Sequence, residues 1–199
     1  MINVRELILS NFFEQYLLGI MSLFIIFSVI AILIILKKMN VFSHIIMRDH
    51  LTGVYNRCFF SNPEFRKVAA RFPVSFIMGD IDGLKLINDT FGHKKGDKAI
   101  IKVVQILKEV CKDSKHYIIR MGGDEFLIVL PGCGEKQAEC LIDRIHTLCE
   151  DGGAIDKVTL SLGSSTAGSV DDTRTLEEII ESADINMYAN RRCQRLKFR

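Results

Sequence analysis

Twenty consecutive residues from Leu17 to Leu36 carry no charge, and only Gly19, Ser22 and Ser28 interrupt their apolar side chains. Few folds can use such a run. In hydrocarbon every backbone amide must be bonded internally, so the segment has to be a helix. At 1.5 Å per residue, twenty residues reach about 30 Å, the thickness of a bilayer core. The run is apolar on every face, unlike the one-sided stripe of a helix that lies on a soluble core. A cleaved leader is the competing reading. It fits poorly, because the run is too long and Lys37-Lys38 follow where small residues would be needed. Tyr16 stands at one end as an interfacial aromatic, Lys37, Lys38 and Arg48 at the other; Arg5, Glu6 and Glu14 lie on the outer flank. The positive-inside rule puts the amino terminus outside and the long carboxy-terminal part in the cytoplasm, so the expected location is the cell (inner) membrane, single-pass. The sixteen or so residues before the span are too few for a folded external sensor. The expected organisation is residues 1–38 with one transmembrane helix at about 17–36, a helical connector at 39–47, and one domain at 48–199.

The remaining residues alternate between two periods. Val74–Met78 reads as a buried strand, with Asp80 and Asp82 at its carboxyl end, two apart and so on one side of the chain. Asn88–Asp97 is polar and marked by glycines. From about Asp97 the period becomes helical, with Ile100, Ile101, Val104, Leu107, Val110 and Cys111 on the inner face. Residues 116–130 read as a hairpin, 134–149 as a helix, and 158–163 as a strand. Thr175-Leu176-Glu177-Glu178 is a capping box opening a last helix. Helices alternating with strands, with one antiparallel hairpin among them, imply an α+β (α/β sandwich) fold: a mixed central sheet flanked by helices. The net charge of +2 gives no reason to expect nucleic acid. Six cysteines without C-x-x-C or zinc spacing read as reduced thiols, mostly small core residues.

The hairpin carries the chemistry. Arg120-Met121-Gly122-Gly123-Asp124-Glu125-Phe126 sits between two β-rich flanks. Two glycines expose two adjacent carboxylates at a turn, which suits divalent metal and phosphate. An ordinary acidic hairpin tip reads the same way on this motif alone. Asp80 and Asp82 at a neighbouring strand end tilt the balance, because two or three converging carboxylates suit Mg²⁺ shared with substrate phosphates. Arg191 and Arg195, four apart on the last helix, share a face, and Lys85 lies near the first acids; these are cations of the kind phosphates need.

Together the motifs identify a resemblance. Asp49-His50-Leu51-Thr52-Gly53-Val54-Tyr55-Asn56-Arg57, then Asp80-Ile81-Asp82 with Lys85, Asn88-Asp89-Thr90-Phe91-Gly92-His93, Gly96-Asp97, the Gly-Gly-Asp-Glu-Phe run and Ala183-Asp184-Ile185-Asn186-Met187-Tyr188 resemble, in order, the GGDEF-domain diguanylate cyclases over about 48–195. The resemblance implies a nucleotide-cyclase or polymerase-palm-like fold. It also implies condensation of two GTP into cyclic di-GMP and two pyrophosphates across a homodimer. On that basis Asp80, the backbone carbonyl of Ile81 and Asp124 would hold two Mg²⁺, and Asp124 or Glu125 would accept the 3′-hydroxyl proton. Lys85 would stabilise the transferring phosphoryl group. Asn88 and Asp97 would read guanine, His93 would lie nearby, and Arg191 and Arg195 would clamp the terminal phosphates. The chain departs from the family in two places. Asp113 and His116 replace the arginine and aspartate of a product-inhibition site, so feedback through that site is not expected. Asn186, Asn190 and Gln194 replace small residues on the last helix, which would loosen nucleotide positioning and keeps an inactive GTP-binding or scaffold role as the alternative. The input signal is not legible; a membrane sensor partner would supply it.

Overall fold

The computed structural model describes residues 4–150 and 158–197, with side chains described throughout except at 4–12, 14, 15, 39–45 and 194–197. The chain divides into two compact units, one ending at Ile46 and one beginning at Met47.

The first unit is a single helix, α1 (Val4–Ile46, 43 residues). Its described side chains between Phe13 and Lys38 are nearly all exposed, including Leu23, Phe24, Phe27 and Leu33. Tyr16–Lys38 is long and apolar enough to cross a membrane. Such an exposed apolar cylinder has no soluble partner within its own unit, and a bilayer would supply one.

The second unit is a five-stranded mixed sheet. Its strands are β1 (Tyr55–Asn56), β2 (Val74–Ile81), β3 (Tyr117–Arg120), β4 (Glu125–Pro131) and β5 (Leu160–Ala167), in the order β1-β3-β4-β2-β5. β1 runs parallel to β3; every other pairing is antiparallel. All eight residues of the inner strand β2 are buried, as a strand covered on both faces requires. Strand alternation splits the core in two. Phe126, Ile128 and Leu130 of β4 face α4 (His93–Cys111) and α5 (Glu135–Glu150). Leu127 and Val129 face a short 3₁₀ turn (Arg57–Ser61), α2 (Pro63–Ala69) and α6 (Leu176–Lys197). The capping box forms as expected: the Thr175 amide donates to Glu178 Oε2 at 2.6 Å, and the Glu178 amide to Thr175 Oγ1 at 3.2 Å.

Three expectations need correction. The polar stretch 88–97 is not a loop. It contains the end of α3 (Leu84–Phe91), a break at Gly92 (φ 81°) and the first turn of α4, so the second helix begins at His93 rather than Asp97. Glycine at positive φ separates two helices that polar exposed faces disguise as coil. Ile101 is 36% exposed, and Val103 takes the buried place. One residue beyond Ile100 is 100° round the helix, past the edge of the apolar stripe. Of the six cysteines, Cys58, Cys140 and Cys193 are exposed, so only half are core thiols. Burial pushes Cys111 and Cys149 up to about 11, which leaves them unreactive at neutral pH.

The last helix lies unusually close to the sheet. A Cβ added at Gly163 on β5 would collide with the backbone of Met187 on α6, and would also come within 2.6 Å of the Ala183 carbonyl. Backbone on both sides cannot give way. Gly163→Ala is expected to cost about 3 kcal/mol in urea unfolding. Gly168→Ala, where the new methyl meets nothing within 4 Å, is expected to cost far less.

Candidate active site

β2 and β4 pair from Val74 opposite Pro131 to Asp80 opposite Glu125. This register brings the strand-end acids against the glycine turn. The Ile81 amide donates to the Asp124 carbonyl at 3.1 Å, and the Asp82 amide to the Thr159 carbonyl at 3.0 Å. On the far side of β2, Asp80 stands opposite Ser161, whose hydroxyl donates to Asp82 Oδ1 at 2.7 Å. From α6 the guanidinium of Arg191 closes the group. Its Nη1 lies 3.0 Å from Asp80 Oδ1 and its Nε 3.4 Å from Asp82 Oδ1.

Burial pushes the Asp80 carboxyl above its ordinary value; Arg191 pulls it back, while Asp124 and Asp82 repel its charge and push it further up. The contact to Arg191 is close but poorly aligned, for Asp80 Oδ1 and Arg191 Nε are buried and neither completes a hydrogen bond. A buried carboxylate oxygen without a proper donor is costly unless a cation takes it. Hard oxygen donors of this kind fit Mg²⁺. Among the described residues no three His, Cys, Asp or Glu side chains are grouped tightly enough to hold a metal by themselves.

The turn is shaped by Arg120. Its Nε donates to the Gly122 carbonyl at 3.1 Å, and its Nη2 to the Gly123 carbonyl at 2.7 Å. Its Nη1 donates to both carboxylate oxygens of Asp49, at 3.1 and 3.2 Å. Asp49 in turn accepts from the amide and hydroxyl of Thr52. One guanidinium thus ties the opening Asp-x-Leu-Thr-Gly segment to the acidic turn. Asp124 is half-buried and Glu125 exposed at the tip.

The other expected residues lie on three helices: Lys85 and Asn88 on α3, His93 and Asp97 on α4, and Arg195 on α6. Asn88 on α3 packs its amide into the space left by the missing side chain of Gly96, so Gly96 brings α3 and α4 together next to Asp97. Lys85, His93 and Asp97 are exposed. The side chain of Arg195 lies outside the described residues. Sequence reasoning gave no role to Ser161 and read Asn186 and Asn190 only as departures that would loosen nucleotide positioning. Asn186 Nδ2 donates to the Ser164 carbonyl and Asn190 Nδ2 to the Leu162 carbonyl, both at 2.9 Å. Their spacing of four on one helix face was the available signal.

The sequence model of the GGDEF diguanylate cyclase domain matches residues 46–197. This chain belongs to the GGDEF family. It is 34% identical over 148 residues to the probable diguanylate cyclase DgcJ of Escherichia coli, covering 72% of this chain and 29% of that protein. It is 30% identical over 202 residues to the E. coli diguanylate cyclase DosC, covering 96% of this chain and 42% of that protein. The chain therefore spans under half the length of these curated relatives. The coiled-coil and GGDEF structure of DgcB from Caulobacter crescentus, solved with c-di-GMP, superposes with a TM-score of 0.70 at 21% identity, over 83% of this chain and 91% of that one; it shows a shared fold. The active GGEEF domain of a Vibrio cholerae diguanylate cyclase is 31% identical, with a TM-score of 0.57 over 65% of this chain and 83% of that one.

Burial works against the Asp49 charge, but hydrogen bonds from Thr52 and Arg120 outweigh it, and the pKa falls below the ordinary 3.8. A depressed carboxylate adds stability that is complete above its unfolded value and is lost as pH falls through the folded one. Asp49→Asn is expected to cost about 2 kcal/mol at neutral pH. Urea unfolding of wild type and variant as a function of pH should show that gap holding to about pH 4 and shrinking below it.

Proposed function

We propose that this chain is an active, membrane-anchored diguanylate cyclase that condenses two GTP into cyclic di-GMP and two pyrophosphates. The observation that carries this reading is the meeting of Asp80 with the Gly122-Gly123-Asp124-Glu125 turn through the β2–β4 pairing, under the cation of Arg191. Asp80, the Ile81 carbonyl and Asp124 would hold two Mg²⁺, which when bound acidify the attacking hydroxyl and neutralise phosphate charge. Asp124 or Glu125 accepts the 3′-hydroxyl proton of one GTP as that oxygen attacks the α-phosphorus of the other. Lys85 sits on the first turn of α3, just beyond Asp82, where a flexible cation can reach the transferring phosphoryl group. Arg191 and Arg195 bind the terminal phosphates, and Arg191 leaves its carboxylate partners as metal and phosphate take over both charges. Asn88 and Asp97 read guanine, whose N1 and N2 protons a carboxylate can accept and adenine lacks; His93 stands beside them. Each site holds one GTP, so a homodimer is required.

The apolar α1 anchors the chain in the inner membrane with the domain in the cytoplasm, and a membrane sensor partner supplies the signal. The altered residues of α6 do not favour an inactive scaffold, because Asn186 and Asn190 both find backbone partners on β5. Product inhibition through positions 113 and 116 is not expected. Asp113 would repel a phosphate, and His116 Nδ1 is engaged with the Ser114 carbonyl at 2.9 Å.

The test is the full chain in nanodiscs with GTP and Mg²⁺, its product identified by mass spectrometry. Cyclic di-GMP is expected, with Asp124→Asn reducing the rate at least about a hundredfold. Pyrophosphate without the cyclic product, or no turnover by a folded dimer, would overturn the reading. In the same assay, added cyclic di-GMP at micromolar concentration should leave the initial rate unchanged; a fall would restore a product site.

A further inference from the structure

β5 is the outer strand of the sheet, paired only with β2. Every second carbonyl of such a strand points away from its partner and must find a donor elsewhere. Here each outward carbonyl is met by a side chain. His146 Nε2 donates to the Leu160 carbonyl at 3.2 Å, Asn190 to Leu162, Asn186 to Ser164, and Arg174 Nη2 to Thr166 at 2.8 Å. The four contacts look alike, but their surroundings differ. His146 and Arg174 lie outside α6. Asn186 and Asn190 grip α6 one turn apart, on either side of the point where Met187 meets Gly163. The residue after Asn190 is Arg191, which reaches Asp80 and Asp82. The residue before Leu162 is Ser161, which holds Asp82. Helix and strand are therefore fastened one residue away from the cation on one side and one residue away from the serine that holds its carboxylate partner on the other.

We propose that Asn190, with Asn186 behind it, is a positioning residue that fixes where the Arg191 guanidinium stands over the acidic site, and thereby sets affinity for the triphosphate; this rests on the reading of the site as a GTP site. Asn190 is itself exposed, so water can take the place of its amide on the Leu162 carbonyl, and the value of the amide lies in geometry more than in stability. Alanine at 190 leaves the fold and the arginine in place but frees the helix to slide and turn over β5.

The experiment measures binding of a non-hydrolysable GTP analogue with Mg²⁺ to the full chain in nanodiscs, by calorimetry. Asn190→Ala is expected to weaken binding on the order of three- to tenfold, and Asn186→Ala less, with melting temperatures close to wild type. His146→Ala, which uncovers the same strand without touching α6, should bind as wild type does. In an Arg191→Ala background Asn190→Ala should add nothing, since it acts through that side chain. Equal losses in Asn190→Ala and His146→Ala, or full additivity with Arg191→Ala, would reduce the asparagines to edge cover and overturn the proposal. A second readout needs no nucleotide: the Nε–H resonance of Arg191 in an NMR spectrum of the chain should shift or broaden in Asn190→Ala and stay put in His146→Ala. If wild type binds no analogue, the GTP reading fails, and the resonance alone decides the positioning.

Discussion

The register between β2 and β4 is the constraint on which the site depends. Seven paired positions run from Val74 and Pro131 to Asp80 and Glu125. Both strands are buried on both faces, so a slip of one residue would exchange every side chain between the two cores. Phe126, Ile128 and Leu130 would then face α6 instead of α4 and α5. The packing of the five apolar side chains from Phe126 to Leu130 thus locks the position of two carboxylates that contribute nothing to the packing. The acids sit where the ladder ends, and a ladder that ends elsewhere would not bring them together.

Charge in this corner is arranged as an incomplete set. Asp124 and Asp82 repel the charge of Asp80, and among the described residues Arg191 is the cation that answers it, through contacts that leave Asp80 Oδ1 without a proper hydrogen bond. A buried group held in that state is poised to exchange one cation for another. Arg120 plays the opposite part. Its donors are well placed on two glycine carbonyls and on Asp49, which itself is held by Thr52. The well-bonded cation shapes the turn, and in the proposed reading the loosely held one would be available for phosphate.

The sequence showed the elements whose periods are strong: α1, β2, the hairpin, α5 and the capping box of α6. It hid α3 and the first turn of α4, because both helices expose polar faces and Gly92 looks like a loop residue until its φ is known. The acids were legible because Asp80 and Asp82 end a strand and the glycine turn announces itself. Their partners were not. Ser161 is an ordinary strand serine, and nothing in its neighbours marks it as the donor to Asp82. Asn186 and Asn190 read as departures that would loosen nucleotide positioning; in the fold they fasten the helix to β5. The difference is topological. Only once β5 is known to be the outer strand do its carbonyls become places where an asparagine is useful.

The covered edge also bears on how two copies can meet. An uncovered outer strand offers a second chain a row of free carbonyls and amides, the simplest route to a dimer. Here β5 has its outward carbonyls occupied by His146, Asn190, Asn186 and Arg174, and the opposite edge strand, β1, is two residues long. Extending the sheet from one copy into the next is therefore disfavoured at both ends. A dimer in which each copy brings its own GTP needs the two acidic sites to face one another, not two sheets to join. Blocking the edges removes a competing association that would bury sheet edges and leave the sites apart. Under the proposed reading it leaves the meeting of two chains to the surfaces around the sites and to an anchor that would confine them to one plane.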